Sequence, residues 1–350
     1  MDRTPDVFVT NFNPRFTGVS ATAAGVVAAQ RDLVDLRLVG VPLPGCPDPV
    51  TVAQASRLSR ARPDGRPFAI WHVRRNSELQ RALWLRDVLR RPIRIVFTSA
   101  KKTRLSAWSR FLVGRADAVI ATSPAAAEHA PNVWEVVPHG VNTDRWHPAD
   151  DRGAAWAATG YPGAFGIANV GRIRPSKGTD LFVEAMIRLL PRHPQATALV
   201  VGQARPQHRG FLDRIRARVA EAGLADRILF VGEVGPERMP GLMRALSLLM
   251  ALPREEPFGM TPLEGLASAV PFVASDTGYY RQFSDAGGTG VIVPVGDADG
   301  AAQAADALLS DPARLAALAQ RAREVACTRF AVRQEAEAAV RVYERLWRQG

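Results

Sequence analysis

The sequence predicts an α/β protein with two Rossmann-like domains, each built on a parallel sheet, and three observations support that fold class. Short apolar runs of strand length alternate with helical stretches along the chain. Strands separated by helices pair in parallel through right-handed crossovers. A chain of 350 residues is long enough for two packed domains. We expect an N-terminal domain over 1–160, a C-terminal domain over 161–330, and a final helix over 331–350 that packs on the first domain.

In the first half, six apolar runs predict strands, and helical patterns separate several of them. Residues 41–67 are rich in proline and glycine and predict a loop. Residues 144–164 have little periodicity and predict the crossing between the halves. The predicted strands are 7–10, 36–39, 68–73, 94–98, 117–122 and 133–137, and the predicted helices are 20–30, 79–89, 103–113 and 124–129.

The second half shows the same alternation more clearly and ends in three consecutive helices. The predicted strands are 166–170, 198–201, 228–231, 248–252, 271–275 and 290–293. The predicted helices are 179–190, 211–222, 239–246, one that begins near Thr261, and then 300–309, 312–327 and 333–347.

From the sequence we expect a cytoplasmic protein, either free or peripheral to a membrane. Cys46 and Cys327 lie far apart in sequence and match no metal or redox spacing, which is typical of a reducing compartment. The N-terminus has no signal-peptide pattern. No window of about 18 apolar residues predicts a transmembrane helix.

Positive charge is concentrated in residues 72–110, although the whole chain carries a net charge of +11. This segment holds eleven Arg and Lys residues against Glu78 and Asp87, a net charge of +9. Such a patch attracts an anionic partner, for example nucleic acid, an acidic membrane surface or a phosphorylated lipid. A solvated arginine-rich face explains the same residues. Aromatic residues make up only 7% of the chain, so the sequence offers no aromatic-rich surface for nucleic acid.

Two glutamates, Glu256 and Glu264, frame the predicted helix start that anchors the second half. Glu256 precedes the helix, Glu264 lies one to two turns inside it, and Thr261 or a neighbour caps it. A helix N-terminus offers N–H groups and a positive dipole end to a phosphate, and the carboxylates can accept hydrogen bonds from sugar hydroxyls. The stretch predicts a site for a diphosphate with a sugar at each end. Ordinary surface glutamates beside an amphipathic helix are the alternative.

Arg172 and Lys177 follow the first predicted strand of the second half, at a sheet edge where ligands gather. Two cations there would neutralise a diphosphate leaving group as its negative charge builds. An exposed basic loop is the alternative, although Lys177 is one of only three lysines in the chain. His72 also ends a predicted strand, and its placement fits a structural histidine as well as a functional one.

Asp297 and Asp299 form a D-x-D pair of the kind that some transferases use to hold a divalent metal. Capping of the following helix explains the pair fully, and a lone acidic pair is a poor site for a hard cation. We therefore expect no metal site and no cofactor. The sequence contains no GxSxG, HExxH or GxxxxGK[ST] pattern.

Four motifs of the second half occur in the order and spacing of a known family. GRIRPSKG (171–178), VVG (200–202), FVGEV (230–234) and EPFGMTPLEGLASAVPFVASD (256–276) resemble the retaining glycosyltransferase family 4. VPHGVNTDRW resembles that family's interdomain loop, and WHVRRN, RDVLRRP, FTSAKK and DAVIATS resemble bacterial lipopolysaccharide core mannosyltransferases. The resemblance implies the glycosyltransferase-B fold, in which two Rossmann-like domains with parallel sheets face each other across a cleft.

The resemblance also implies which residues act on the donor. Arg172 and Lys177 would hold the donor diphosphate, and Glu256 and His72 would lie near the transferred sugar. The other implied donor contacts are Glu264 to the ribose, Val234 in the base pocket, backbone amides at Gly259, Met260 and Thr261, and Gly18 in a loop that closes on the donor. Many family members carry two glycines in that loop, whereas this chain has only Gly18.

Taken together, these residues predict a retaining hexosyltransferase that moves mannose from GDP-mannose. The acceptor would be a lipopolysaccharide core or another anionic lipid-linked saccharide at the inner face of the cytoplasmic membrane. The acceptor or membrane would be contacted by Arg74, Arg75, Lys101 and Lys102. Two alternatives remain, a nucleotide-sugar 2-epimerase-like enzyme of the same fold and a basic nucleic-acid-binding protein.

Overall fold

The structure is a computed structural model and describes residues 3–15, 18–101 and 103–350. Its first part alternates strands and helices. After α3 the chain continues as a π-helical turn, Trp84–Val88. In chain order the elements are β1 (Val7–Asn11), α1 (Gly18–Gln30), β2 (Leu36–Gly40), α2 (Val52–Leu58), β3 (Ala69–Val73), α3 (Asn76–Leu83), β4 (Ile93–Ser99), α4 (Ala107–Gly114), β5 (Ala118–Ala121), α5 (Pro124–Ala127) and β6 (Val133–Val136).

The second part continues the alternation and ends in three helices, as the sequence predicts. Short 3₁₀ turns occur at Pro175–Lys177, Leu190–Arg192, Pro206–His208 and Asp285–Gly287. The elements are α6 (Arg152–Ala157), β7 (Phe165–Val170), α7 (Thr179–Leu189), β8 (Ala196–Val201), α8 (Arg209–Glu221), β9 (Ile228–Gly232), α9 (Met239–Ala245), β10 (Leu246–Ala251), α10 (Met260–Ala267), β11 (Phe272–Ser275), α11 (Tyr280–Phe283), β12 (Gly290–Val293), α12 (Ala298–Leu309), α13 (Pro312–Arg329) and α14 (Val332–Trp347).

The chain divides into two compact units. One comprises Met1–Gly140 with Phe330–Gly350, and the other comprises Val141–Arg329. The sequence-based division lies at residue 160, later than this one. Residues just after Gly140 belong to the second unit because α6 packs there: the Trp156 side chain is 1% exposed, and its indole nitrogen donates to the Gly163 carbonyl at 3.1 Å.

The first unit is a six-stranded parallel sheet in the order β2-β1-β3-β4-β5-β6. Apolar side chains pack on both faces, because strands of a buried parallel sheet have no solvent side. On one face the core includes Val27 of α1 together with Tyr343 and Trp347 of α14. On the other face it includes Leu79 of α3 and Leu112 of α4. The last helix of the chain is therefore part of the core of the first unit.

The start of α14 is fixed to the end of the first unit by one carboxylate. Glu335 accepts from the backbone N–H of Gly140 at 2.7 Å and lies 2.9 Å from His139 Nδ1. Gln30 of α1 donates to the Tyr343 hydroxyl of α14 at 3.2 Å. Apolar packing holds α14 against the sheet, and these polar contacts fix its orientation.

The second unit is also a six-stranded parallel sheet, in the order β12-β11-β10-β7-β8-β9. The chain runs outward from β7 through β8 to β9, and then returns to the other side of β7 as β10, β11 and β12. The direction of winding therefore reverses between β7 and β10. In doubly wound sheets, ligands bind outside the carboxyl ends of the strands at such a reversal. The predicted α/β class with two Rossmann-like parallel sheets is confirmed.

Several element boundaries differ from the prediction for local reasons. Residues 41–67 contain α2, which is capped reciprocally by Thr51 and Gln54, a capping box that the proline-rich context hides. Residues 144–164 contain α6, whose cap is Asp151. The predicted helix 103–113 begins only at Ala107, because Ser106 caps it. Within the described ranges, no helix combines the length and the hydropathy that crossing a bilayer requires.

Candidate functional site

The loops that follow β7 and β10 meet at the winding reversal of the second unit. The β7 loop ends in a 3₁₀ turn, and Gly178 then adopts the left-handed region with φ +65°. A Cβ on Gly178 would lie 2.6 Å from the carbonyl carbon of Leu252, so only glycine allows the two loops to approach this closely. The reversal and this glycine together bring Lys177 beside the segment that carries Glu256.

Lys177 and Glu256 form an ion pair at the centre of this site. The Lys177 Nζ atom lies 2.5 Å from Glu256 Oε2, and their side chains are 23% and 13% exposed. A pair this enclosed is screened less by salt than a surface pair, and its charges still reach the solvent on one side. The sequence predicts that these residues, 79 positions apart, bind one ligand, and in the structure they are in direct contact.

Two adjoining cavities open at this sheet edge, one at the ends of β7 and β10 and the other at the ends of β7, β8 and β9. The smaller has a volume of about 200 Å³, and the larger about 520 Å³. Val170, Gly171 and Arg172 line both, so the two cavities share a wall at the end of β7. Lys177, Glu256 and Thr261 line the smaller, and Val234 lines the larger. The smaller cavity is thus lined by four predicted donor contacts, Arg172, Lys177, Glu256 and Thr261. The larger is lined by two, Arg172 and Val234.

Arg172 lies in a positive local field. Burial lowers the pKa of its guanidinium, and the nearby positive charges of Arg174 and Arg205 lower it further, while Glu256 opposes them. Arg205 also lines the larger cavity. Like charges held together without enough acidic partners favour binding of an anion, which relieves their repulsion. The arrangement is suited to a phosphate group between the two cavities.

The helix start after Glu256 is built differently from the prediction. α10 begins at Met260, and its N-cap is Gly259, not Thr261. Gly259 has φ +96°, a region that favours glycine, and a Cβ there would lie 2.6 Å from the phenolic oxygen of Tyr280. No side chain caps the helix among the described residues, so the first N–H groups of α10 keep no side-chain acceptor. Thr261 lines the smaller cavity instead.

Glu264 lies in the middle of α10 and is only partly exposed. Burial raises the pKa of this carboxyl to about 7, and the positive charge of Arg145 acts in the opposite direction. Glu264 is not among the residues that line the two cavities, so its predicted contact with a ribose stays a prediction. A carboxyl that titrates near neutral pH is a marker of functional sites, although structural burial also produces it.

The D-x-D pair is used structurally. Asp297 caps α12 by accepting from the backbone N–H of Gly300 at 2.7 Å. Asp299 forms an ion pair with Arg188. These contacts account for both aspartates.

Comparison with known proteins places this site in a family. The family model described as "Glycosyl transferases group 1" matches residues 161–325, the region that contains both cavities. The lipopolysaccharide core biosynthesis mannosyltransferase LpsB of Rhizobium meliloti (strain 1021) is 42% identical over 99% of this chain and 99% of its own length. The chain belongs to the group 1 glycosyl transferases. The lipopolysaccharide core biosynthesis mannosyltransferase LpcC of Rhizobium leguminosarum bv. viciae is 38% identical to this glycosyltransferase, over 98% of this chain and 97% of LpcC.

Solved structures show the same fold. Anabaena HepE, crystallised in complex with UDP and glucose, superposes on this glycosyltransferase with a TM-score of 0.80 over 97% of this chain and 99% of HepE. At 18% identity this likeness shows the glycosyltransferase-B fold alone. The C-terminal domain of a group 1 family protein, LpcC of Francisella tularensis, is 31% identical with a TM-score of 0.52, covering 55% of this chain and 99% of that domain.

In the first unit of this glycosyltransferase, His72 is enclosed. Its side chain is 1% exposed, Nδ1 lies 2.5 Å from the Tyr343 hydroxyl, and Nε2 lies 2.6 Å from the Thr98 hydroxyl. Burial lowers the pKa of His72 well below its ordinary value, so the ring is neutral. Both ring nitrogens are engaged by the protein. These surroundings favour a positioning role, and the predicted catalytic contact of His72 stays a prediction.

Glu78 is the centre of a second cluster that the sequence analysis treated only as a minor acid. Its fully buried carboxylate accepts from the backbone N–H groups of Phe12, Arg74 and Arg75 and from the Thr10 hydroxyl. These bonds join the carboxyl ends of β1 and β3, where the winding of the first sheet reverses. A buried carboxylate is stable only when it is satisfied in this way.

The predicted acceptor or membrane contacts have different environments. Arg75 bonds Glu78 at 2.9 Å and Asn11 at 3.1 Å, so its guanidinium is part of the Glu78 cluster, and its predicted contact with the acceptor or membrane stays a prediction. Arg74 is partly buried, and Lys101 is exposed. Lys102 lies outside the described residues.

Gly18 begins α1 and is exposed, and a Cβ there would meet nothing within 4 Å. Space is open beside Gly18, but the backbone conformation of this residue does not require glycine. Its part in closing on the donor stays a prediction.

Proposed function

We propose that this glycosyltransferase is a retaining family 4 enzyme that transfers mannose from GDP-mannose to a lipopolysaccharide core or another anionic lipid-linked saccharide. One observation carries the proposal. Arg172, Lys177 and Glu256 converge on a single cavity at the winding reversal of the second sheet. They do so in a chain that aligns from end to end with proteins named lipopolysaccharide core mannosyltransferases.

The two cavities suggest how the donor lies. The larger cavity is wide enough for a nucleoside, with Val234 against the base. The diphosphate would lie at the wall that the cavities share, where Arg172 and Lys177 supply positive charge. The backbone N–H groups of Gly259, Met260 and Thr261, at the start of α10, would donate to its oxygens. The hexose would then occupy the smaller cavity beside Glu256. Glu264 would approach the ribose from within α10.

The chemical step follows from this placement. The bond between the sugar's anomeric carbon and the diphosphate oxygen breaks, and its electron pair stays on the diphosphate. Arg172 and Lys177 stabilise that developing charge, and such electrostatic stabilisation is usually the main source of rate enhancement. The acceptor hydroxyl attacks from the same face and passes its proton to the departing phosphate oxygen, so the anomeric configuration is retained. Glu256 orients the sugar and stabilises its oxocarbenium-like state, and His72 acts by positioning its neighbours.

Substitution at the ion pair tests this assignment. We expect Lys177→Ala and Glu256→Ala each to lower kcat by about 100-fold or more, because each removes a charged group at the reacting bond. Val295→Ser is a matched control, since Val295 is 47% exposed and lines neither cavity. Transfer of mannose from GDP-mannose is measured with purified core oligosaccharide. Rates near wild type for both alanine variants would contradict the proposal.

We also propose peripheral contact with the anionic inner face of the cytoplasmic membrane. The support is an exposed surface on α3, its π-helical turn and α4, which we call the aromatic–cationic surface. Part of the charge in residues 72–110 is used internally, since Arg86 and Arg94 both pair with Asp117. On these elements Trp84, Val88, Trp108 and Phe111 are exposed together with Arg81 and Arg110, and Lys101 and Arg104 are exposed in the segment that leads to α4. Apolar rings next to cations suit the boundary between lipid headgroups and acyl chains.

An epimerase-like enzyme of the same fold is less well supported. It would need further acid–base groups in the first unit. There, His72 has both nitrogens engaged, and Glu78 is fully buried among five donors. Incubation of the enzyme with GDP-mannose and no acceptor separates the two proposals, because only an epimerase releases an epimeric sugar.

A further inference from the structure

Tyr280 is a buried tyrosine on the wall of the smaller cavity. Its side chain is 2% exposed, and it lines this cavity together with Lys177 and Glu256. Within the described ranges, its hydroxyl has no hydrogen-bond partner in the protein. The hydroxyl oxygen is not among the fully buried polar atoms of the described residues that lack a partner, so it is open to the cavity. A ligand that fills the cavity excludes water from the hydroxyl and has to supply its hydrogen bond, because an unpaired buried hydroxyl is costly.

Packing fixes the position of the phenol ring. The ring lies against Gly259, where any Cβ would overlap it, and a ring contact joins it to Phe283 at 6.5 Å between centroids. Gly259 is the N-cap of α10. The hydroxyl is thus held beside the helix start that the proposed function assigns to the diphosphate, and it loses little side-chain entropy when a ligand binds.

The electrostatic surroundings make the phenol a hydrogen-bond donor. Burial raises the pKa of Tyr280 well above its ordinary value, and the negative charge of Glu256 raises it further, so the hydroxyl keeps its proton. Glu256 itself is already engaged by Lys177 at 2.5 Å. A neutral O–H donor binds most strongly to an ionised acceptor, and a diphosphate supplies several.

We propose that Tyr280 is a donor-binding residue whose hydroxyl donates a hydrogen bond to an oxygen of the donor's diphosphate. The proposal rests on the proposed function, because it takes the ligand of the two cavities to be a nucleoside diphosphate sugar. It adds a third side chain to the anion site of Arg172 and Lys177. Unlike those two residues, Tyr280 carries no charge. Its hydrogen bond orients the diphosphate without adding long-range electrostatic attraction.

The test is Tyr280→Phe, which keeps the ring packing against Gly259 and removes only the hydroxyl. The matched control is Tyr279→Phe, because Tyr279 is the adjacent tyrosine and lines neither cavity. Titration calorimetry measures the Kd of GDP, UDP and guanosine for each protein. We expect the Kd of whichever diphosphate binds, GDP or UDP, to rise about 10- to 100-fold in Tyr280→Phe, because the variant loses a hydrogen bond to a charged group. In Tyr279→Phe the same Kd should change less than about twofold.

Guanosine lacks the diphosphate and should bind Tyr280→Phe and wild type equally. If Tyr280→Phe binds the diphosphate with the same Kd as wild type, the proposal is overturned. It is also overturned if the variant loses as much affinity for guanosine as for the diphosphate. Loss of affinity for GDP-mannose without loss for GDP would place the bond on the sugar and also overturn it. Wild-type protein that binds neither GDP nor UDP would instead overturn the proposed function, and the Tyr280 proposal with it.

Discussion

At the scale of single residues, Glu264 shows how burial alone changes chemistry. Its carboxyl lies on α10, and burial raises its pKa to about 7. The carboxyl therefore takes up a proton within the physiological range, unlike an ordinary glutamate. If it accepts hydrogen bonds from a ribose, as the proposed function requires, it binds best as the carboxylate. Donor affinity should then increase as the pH rises through about 7.

The same shift predicts the pH dependence of stability. A carboxyl whose pKa is raised on folding stabilises the folded state most below its unfolded pKa, near 4.5, and that contribution is lost as the pH rises through about 7. Glu264→Gln removes the titration. We expect the free energy of unfolding of wild type to fall, relative to the variant, by on the order of 2–3 kcal/mol between these pH values. Urea titrations across that range measure it, and parallel curves for both proteins would contradict it.

The site residues that sequence predicted share one property. Arg172 and Lys177 lie in the loop that follows a strand, and Glu256 precedes a helix, so topology alone puts them at a sheet edge where ligands bind. Tyr280 and Glu78 could not be found in this way. Tyr280 lies in a four-residue helix with no periodic signal, and its role depends on the space left by Gly259. His72 was placed correctly on its strand, but only the structure shows both nitrogens in use.

At the scale of elements, α3 and α4 form one surface of the first unit. Asn76 at the start of α3 donates to Ser109 of α4 at 2.8 Å, and Arg115 after α4 pairs with Asp87 in the π-helical turn. Trp108 and Phe111 are stacked with their centroids 5.8 Å apart, although both are more than half exposed. Sequence periodicity did not predict an amphipathic helix here, because the arginines of α3 interleave with its leucines and the π turn shifts the register.

The aromatic–cationic surface predicts binding to anionic bilayers. We expect wild type to co-float with vesicles of phosphatidylglycerol and phosphatidylcholine, and to bind phosphatidylcholine alone weakly. The double variant Trp108→Ser with Phe111→Ser should lose about tenfold or more in partitioning, because two half-exposed rings no longer enter the interface. Salt should weaken the binding of both proteins, since the cations remain.

Two controls separate this prediction from its alternatives. Val295→Ser removes an exposed apolar residue of the second unit and should leave vesicle binding unchanged. Stacked aromatic rings beside cations also suit single-stranded nucleic acid. Tighter binding of an oligonucleotide than of the anionic vesicles would therefore reassign the surface.

At the scale of the whole molecule, the two units share one feature of sheet topology. The winding of each sheet reverses beside its first strand, between β1 and β3 in one unit and between β7 and β10 in the other. In the first unit the buried Glu78 cluster lies at the reversal, and in the second the smaller cavity opens there. The alternating pattern of the sequence predicted both sheets. It could not show the cluster or the cavity, because both depend on how side chains of distant segments pack.

The open reversal predicts where a donor protects the chain. In hydrogen exchange, saturating GDP-mannose should slow exchange most in peptides spanning 171–178 and 256–264, because the ligand contacts both loops at once. β12 at the sheet edge is the internal control and should change little. A ligand at 100 times its Kd stabilises the folded state by about 2.7 kcal/mol, so a panel of GDP-, UDP- and ADP-sugars ranks the donors by thermal shift. If the base binds in the larger cavity and the diphosphate beside Arg172, as proposed, a true donor must produce both effects. A sugar nucleotide that raises the Tm without protecting these loops binds elsewhere.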